Sequence, residues 1–298
     1  MTPLISIIMP VWNGERYLAE AVRSILGQTF RDFEFIILDD GSTDRTPEIL
    51  AEFAAQDSRI RIIPLEHEGI VTALNRGVAE SRAAWIARMD ADDISHPERL
   101  ARQWAAVGKK PRAVLCHTHT NIIGDPAYIT RAGRFIRSHA LIALRLCFQC
   151  PIIHPTVMFR KDVFLECGGY RQEERHAEDF ALWGRMIARG PVVGVPEPSL
   201  DFRVHGASIS KQQAATQEAL SQKISARHCA AFMNLDEEKS VRAYRAIQGL
   251  FVPRPVREWI WFLINCLPKM RWHSLEMWAW VASHSLQIFR HRPQKQSQ

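Results

Sequence analysis

The sequence has no long hydrophobic run. No stretch of the chain reaches the roughly 18 to 20 consecutive apolar residues that a membrane-spanning helix needs. A secretory signal is also missing, because residues 1–4 carry no charged segment and lead directly into an apolar, strand-like run. Both absences argue against a spanning or exported chain, and we therefore expect a cytoplasmic protein.

Cysteine is scarce as well, with six residues in a chain of 298. In a reducing cytoplasm we expect these cysteines to remain thiols. Cys147 and Cys150 form a pair without a second pair at the spacing of a zinc site. The sequence therefore gives little support for a structural zinc or a redox site.

Positive charge is unevenly distributed along the chain. The formal net charge is +6, and residues 251–298 contain seven Lys and Arg against two Glu, together with five of the nine Trp. No basic stripe alternates with aromatic residues in the rest of the chain, so we expect no nucleic-acid partner. A basic, Trp-rich segment is typical of binding to a membrane surface. The alternative is a helical pair packed on the rest of the protein or in a dimer interface.

The first half of the chain alternates strand-like and helical patterns. Apolar runs occupy 4–11, 33–38, 60–63 and 85–89, and helical spacing occupies 15–26, 46–56 and 71–81. This order predicts a parallel sheet with helices on both faces. The second half is less regular, with late strands expected at 192–195 and 200–204. We expect one α/β domain over residues 1–210 and a helical C-terminal region over 211–298.

Acidic residues follow two of these predicted strands. Asp39 and Asp40 follow the second strand, and Asp90-Ala91-Asp92-Asp93 follows the fourth. Parallel sheets bind ligands at the carboxyl ends of their strands, and hard cations take oxygen ligands there. The alternative for the second group is a solvated turn that caps the next helix. Converging acidic strand ends repel one another, which favours either a metal or a set of hydroxyl and N–H donors between them.

Seven short motifs, in this order, resemble those of the family-2 glycosyltransferases. They lie at 6–13, 39–44, 69–77, 90–93 with 97–100, 154–156, 178–185 and 203–210. The resemblance implies an A-type, Rossmann-like fold with a mostly parallel sheet flanked by helices. It also implies a metal-dependent inverting enzyme that moves a sugar from a nucleotide-diphosphate sugar, which we expect to be a UDP-sugar. The acceptor would be a hydroxyl of a glycan or lipid-linked molecule in cell-surface polysaccharide synthesis, at the inner face of the membrane.

On the donor side, the resemblance implies a function for each of four residues. Pro10 and Trp12 would line the pocket for the base and ribose. Asp40 would accept a hydrogen bond from the base, either from N3–H of uracil or from an N–H of guanine. Asp90 would contact the ribose or the metal.

For the metal, the resemblance implies Asp92 as the main protein ligand of a Mn²⁺ or Mg²⁺ that bridges the diphosphate. His205 matches a position that adds a metal or diphosphate contact in some family members. The alternative for His205 is a structural hydrogen-bond donor at a strand end. Asp93 is expected to serve the turn that leads into Pro97.

On the acceptor side, we expect Asp179 to be the general base, with Glu178 and Trp183 beside it. Glu178 and Asp179 begin a predicted helix, so the alternative is an acidic pair stabilised by the helix dipole. Trp183 lies one turn later and would form a floor under a sugar ring or pack in the core.

Two other functions remain open at this point. A sugar nucleotidyltransferase would need a Gly-rich, basic loop after the first strand, and residues 10–14 lack one. A non-catalytic nucleotide-sugar binding module would fit an altered set of acids, whereas Asp92 and Asp179 are both present.

Overall fold

An eight-stranded sheet organises the first two hundred residues of the chain. The computed structural model describes residues 2–126, 135–206, 214–236 and 238–241. The strands are β1 (Ile5–Val11), β2 (Phe33–Asp39), β3 (Ile60–Pro64), β4 (Trp85–Arg88), β5 (Ile94–Ser95), β6 (Leu115–Gly124), β7 (Met158–Arg160) and β8 (Val192–Val204). The helices are α1 (Leu18–Leu26), α2 (Thr46–Gln56), α3 (Ile70–Glu80), α4 (Arg99–Gly108), α5 (His139–Leu146), α6 (Lys161–Glu166), α7 (Glu178–Ile187) and α8 (Ala214–Met233). The order across the sheet is β3-β2-β1-β4-β7-β6-β8-β5.

The first four strands are parallel, as the sequence predicts. β1 pairs with β2 and β4, and β2 pairs with β3. Every residue of β2 is buried, and so is every residue of β1 except the half-buried Pro10. A strand covered by helices on both faces needs a continuous apolar run, and these segments have one. The predicted α/β class with flanking helices is confirmed.

Helices α1 and α3 cover the sheet with one apolar face each. The buried residues of α1 are Leu18, Ala21, Val22 and Ile25, which is the spacing of one helical face. Gly77 lets α3 approach the sheet closely, because a Cβ atom there would lie 2.9 Å from Cδ1 of Leu38 and 3.1 Å from Cγ2 of Ile8.

The second half of the sheet is mixed. β7 is antiparallel to β4 and β6, β8 is parallel to β6, and β5 is antiparallel to β8. The prediction of two separate late strands was wrong, because residues 192–204 form one strand. The prolines at 196 and 198 interrupt the apolar pattern in the sequence, and the structure absorbs them with register shifts between Thr118 and Thr120 of β6.

The chain divides into two compact units, Met1–Arg137 with Pro151–Gln217 and Ser138–Cys150 with Glu218–Gln298. In the second unit, Nδ1 of His228 on α8 lies 2.9 Å from the carbonyl oxygen of Leu146 on α5. No helix within the described residues is long and apolar enough to cross a membrane. The predicted membrane-binding segment, 251–298, lies outside the described residues. The domain boundary near residue 210 stays a prediction.

The close packing of α3 leads to a stability prediction. We expect Gly77→Ala to lower the free energy of unfolding by about 1–3 kcal/mol, because the methyl group would collide with buried side chains of β1 and β2. Gly108 ends α4 with no atom within 4 Å of a Cβ at that position, so Gly108→Ala is the matched control and is expected to cost nothing. Urea unfolding measures both variants. Equal effects of the two substitutions would contradict the close approach of α3.

Candidate active site

The ends of β1 and β2 form the predicted donor side of the site. The backbone N–H of Asp40 donates to the carbonyl oxygen of Val11 at 2.8 Å, which holds the two strand ends together. The Asp40 carboxylate accepts backbone hydrogen bonds from Glu68 at 2.7 Å and Gly69 at 2.9 Å. One carboxylate therefore fixes the loop before α3, and each of its oxygens retains a lone pair for a ligand.

Trp12 stands at this end of the sheet and is 56% exposed. Its partner is His67, whose ring centroid lies 4.6 Å away. Nδ1 of His67 lies 3.1 Å from the carbonyl oxygen of Asp40. The backbone of His67 has a φ of 54°, an uncommon conformation for a residue other than glycine. Sequence reasoning missed His67, and its only signal was its position two residues before the glycine of a motif.

Three acidic side chains follow β4 and converge. The ligand atoms of Asp90, Asp92 and Asp93 all lie within 4.8 Å of one another. Burial raises the pKa of Asp93 well above its usual value, and the charges of Asp90 and Asp92 raise it further. Burial also raises the pKa of Asp90. Carboxylates crowded in this way become much more favourable when a cation is bound between them.

His205 reaches the acidic cluster from the end of β8. Its Nε2 lies 2.9 Å from Oδ2 of Asp92. The pairing of β5 with β8 brings the two together, because β5 begins directly after Asp93. Arg203 also binds β8 to the acidic segment. Its backbone N–H donates to Oδ1 of Asp93 at 2.8 Å, and its Nε donates to the carbonyl oxygen of Asp92 at 2.7 Å. Asp93 therefore anchors β8, and its expected role in the turn stays a prediction.

Arg88, the last residue of β4, was missed by sequence reasoning. Its side chain is 2% exposed and forms an ion pair with Asp90. Burial by itself would lower the pKa of Arg88, but the Asp90 carboxylate outweighs that effect and raises it. The sequence held a signal, because an arginine inside an apolar strand needs a buried partner.

Asp179 lies at the start of α7 and is half-buried. Its Oδ1 accepts the backbone hydrogen bond of Phe180 at 2.7 Å. Burial raises the pKa of Asp179 to about 7, the charge of Glu178 adds to this rise, and the Phe180 N–H and Arg88 oppose it. A carboxylate with such a pKa can accept a proton and release it again near neutral pH.

Trp183 corrects a prediction. Its side chain is fully buried, and its ring centroid lies 5.7 Å from that of His154 and 6.1 Å from that of Phe159. Because the ring is fully buried beside His154 and Phe159, neither of its faces is open to a sugar. Trp183 is therefore a core residue and does not form a surface for the acceptor. Glu178 is 6% exposed, and its acceptor-side prediction is likewise replaced by an electrostatic effect on Asp179.

The half-buried His154 and the buried Tyr170 form a pair in the same part of the structure. Nε2 of His154 lies 2.8 Å from the hydroxyl oxygen of Tyr170. Burial lowers the pKa of His154 well below its usual value and raises that of Tyr170 well above its usual value. Both groups therefore remain uncharged at neutral pH.

Comparison with known proteins places the chain in a family. The model of glycosyl transferase family 2 matches residues 6–168, more than half of the chain. The O-antigen biosynthesis glycosyltransferase WbnJ of Escherichia coli is 32% identical over 232 residues, which cover 73% of this chain and 86% of that protein.

Solved structures support the same fold. S. aureus TarS 1-349 in complex with UDP-GlcNAc matches with a TM-score of 0.66 and 15% identity, covering 96% of this chain and 89% of that one. The mannosyltransferase PcManGT from Pyrobaculum calidifontis, in complex with GDP-Man and Mn²⁺, matches with a TM-score of 0.59 and 12% identity, covering 100% and 89%. At these identities the likeness shows the fold alone. Taken with the family match, it identifies the chain as a glycosyltransferase of family 2 with the A-type fold.

Proposed function

We propose that this glycosyltransferase is an inverting, divalent-cation-dependent enzyme that uses a nucleotide-diphosphate sugar. The observation that carries the proposal is the half-buried Asp179, with a pKa of about 7 at the start of α7. Inverting transfer needs one carboxylate to deprotonate the acceptor hydroxyl as it attacks. Family membership decides against the two alternatives, a nucleotidyltransferase and a non-catalytic module.

For the donor, we assign the base and ribose to the ends of β1 and β2. The exposed Trp12 and the half-buried Pro10 of β1 would offer an apolar surface, and the Asp40 carboxylate would accept a hydrogen bond from a base N–H. Asp90 is assigned to the ribose. The complex of TarS with UDP-GlcNAc favours a UDP-sugar for this chain as well.

The residues after β4 fit a hard divalent cation. Several carboxylate oxygens within 4.8 Å of one another, with an imidazole 2.9 Å from one of them, form a donor set suited to Mn²⁺ or Mg²⁺. Asp92 and His205 would hold the ion. When bound, the ion would neutralise the charge that develops on the leaving diphosphate. The Mn²⁺ complex of PcManGT supports this assignment.

In the transfer step, Asp179 receives the proton of the acceptor hydroxyl. The acceptor oxygen forms a bond to the anomeric carbon of the donor while the bond from that carbon to the phosphate oxygen breaks on the opposite face. The bonding electrons leave with the nucleoside diphosphate, and the configuration inverts. Partial burial of Asp179 keeps its basicity high enough for this proton transfer.

For the acceptor, we propose a hydroxyl of a glycan or lipid-linked molecule in cell-surface polysaccharide synthesis. The O-antigen function in the name of WbnJ supports this context. The basic, Trp-rich composition of residues 251–298 supports a peripheral position at the inner face of the membrane.

The base assignment has a direct test. We expect Asp179→Asn to lower kcat on the order of 10²- to 10⁴-fold, because the acceptor proton loses its receiver. Donor binding is expected to remain, since Asp179 is not assigned to the nucleotide. Turnover is measured with a UDP-sugar and Mn²⁺, and binding of UDP by calorimetry. An Asp179→Asn enzyme with wild-type turnover would refute the base.

The metal assignment is tested by thermal shift. We expect UDP to raise the Tm of the wild type much more in the presence of Mn²⁺, because a ligand that binds only the folded state stabilises it. In Asp92→Asn, we expect Mn²⁺ to add nothing to the rise in Tm that UDP causes. Asp162→Asn, at an exposed acid of α6, is the control and should behave as the wild type. A full Mn²⁺ effect in Asp92→Asn would contradict the assignment.

The pKa of Asp179 also predicts a pH-dependent stability. Its folded value of about 7 lies above the ordinary 3.8, so the folded state binds this proton more tightly and loses stability as pH rises through that window. We expect Asp179→Asn to raise the free energy of unfolding by about 1–3 kcal/mol at about pH 8 and very little at about pH 4.

Asp57 supplies the control of opposite sign, because hydrogen bonds from Arg59 lower its pKa. Asp57→Asn should therefore reduce stability at the higher pH. Urea unfolding at both pH values measures the variants. A stability gain of Asp179→Asn that does not depend on pH would show that its pKa is not raised.

A further inference from the structure

Trp12 and His67 form an exposed pair of rings at the edge of the sheet to which the base of the donor is assigned. Their centroids lie 4.6 Å apart, with an angle of 35° between the ring planes. Trp12 is 56% exposed, and the side chain of His67 is 58% exposed. Within the described residues, His67 supplies the one aromatic ring that contacts Trp12. The position of the imidazole therefore limits the orientations that are open to the indole.

His67 is held by Asp40, the residue that follows β2. Nδ1 of the imidazole lies 3.1 Å from the carbonyl oxygen of Asp40. A carbonyl oxygen only accepts hydrogen bonds, so Nδ1 carries a proton and donates it. The next two residues bind the same aspartate, because the backbone N–H groups of Glu68 and Gly69 donate to its carboxylate. Asp40 therefore holds three consecutive residues of this loop.

The backbone of His67 is kept in a conformation that side chains seldom adopt. Its φ is 54°, in the left-handed region. Gly41 allows the segment to approach closely, because a Cβ atom at Gly41 would lie 2.9 Å from the backbone nitrogen of His67. A strained backbone persists only where the surrounding structure imposes it, and such positions are frequent at binding sites. Packing alone does not account for a strained histidine whose ring is exposed.

We propose that His67 is a positioning residue for the donor nucleotide, which holds the Trp12 ring in the orientation that stacks on the base. This inference rests on the proposed function, since it requires Trp12 to lie in the base pocket. The imidazole supports one face of the indole and leaves the opposite face for the base. Stacking on an aromatic ring contributes affinity for any base, and a ring that is already held loses less freedom when the base binds. His67 therefore increases nucleotide affinity by acting through Trp12.

A double-mutant cycle on Trp12 and His67 tests the inference. The quantity measured is the Kd of UDP in the presence of Mn²⁺, or of GDP if the wild type binds GDP more tightly. His67→Asn removes the ring, and asparagine tolerates the left-handed backbone. We expect it to raise this Kd on the order of three- to tenfold, because the Trp12 ring is no longer held. In a Trp12→Leu background the same substitution should change the Kd by less than about twofold, because its effect depends on the indole.

Two controls separate the base from the rest of the site. Inorganic pyrophosphate has no base, so its Kd with Mn²⁺ should be the same for the wild type and His67→Asn. His176→Asn is the matched control, because His176 also has a left-handed backbone, with a φ of 77°, and makes no ring contact with Trp12 within the described residues. It should bind the nucleotide as the wild type does. If His67→Asn lowers the Tm without ligand, His67→Gly, which also suits this backbone, replaces it and is expected to give the same result.

The outcomes separate this inference from the proposed function. Additive losses in the double variant would overturn it, because His67 would then act independently of Trp12. An equal loss of nucleotide and pyrophosphate binding in His67→Asn would overturn it as well, since the whole site would have been disturbed. If Trp12→Leu binds the nucleotide as tightly as the wild type, the proposed base pocket itself is wrong. If Trp12→Leu weakens binding while His67→Asn does not, only the inference fails.

Discussion

The ion pair of Arg88 with Asp90 connects the buried centre of the sheet to the acidic residues at the carboxyl ends of its strands. Arg88 belongs to β4, which lies between β1 and β7 in the middle of the sheet. A guanidinium in that position is tolerable only because a carboxylate follows two residues later and the backbone is held by Ile8 and Val157. The acidic cluster is thus anchored to a central strand of the sheet.

A long return of the chain completes the site. β8 pairs with β6 over its whole length and with β5 near its end, and this carries His205 back to Asp92 across 113 residues of sequence. At this junction the backbone N–H of Arg203 donates to the Asp93 carboxylate at 2.8 Å. Asp40 plays a similar structural role at the end of β2, where its carboxylate accepts hydrogen bonds from the backbone N–H groups of Glu68 and Gly69. Asp40 and Asp93 therefore fix the backbone at this edge of the sheet.

Asp92 and Asp179 are suited to different chemical roles because their surroundings differ. Asp92 is 34% exposed and lies beside an imidazole, an arrangement suited to a cation. Asp179 is shielded near the buried Glu178, and its pKa is about 7, a value suited to proton transfer. When the surroundings of two acids separate their pKa values, the two acids can take different chemical roles.

The sequence by itself determined the parallel strands β1 to β4, the helices between them and the acidic residues at the strand ends. These features are local, because apolar runs and helical spacing indicate which side of each segment is buried. Only the tertiary structure decided that Trp183 packs in the core, that residues 192–204 form one strand through two prolines, and that Arg88 pairs with Asp90. Each of these depends on neighbours distant in sequence or on the direction of one side chain. Periodicity shows which residues are buried, but only packing shows which buried residues touch.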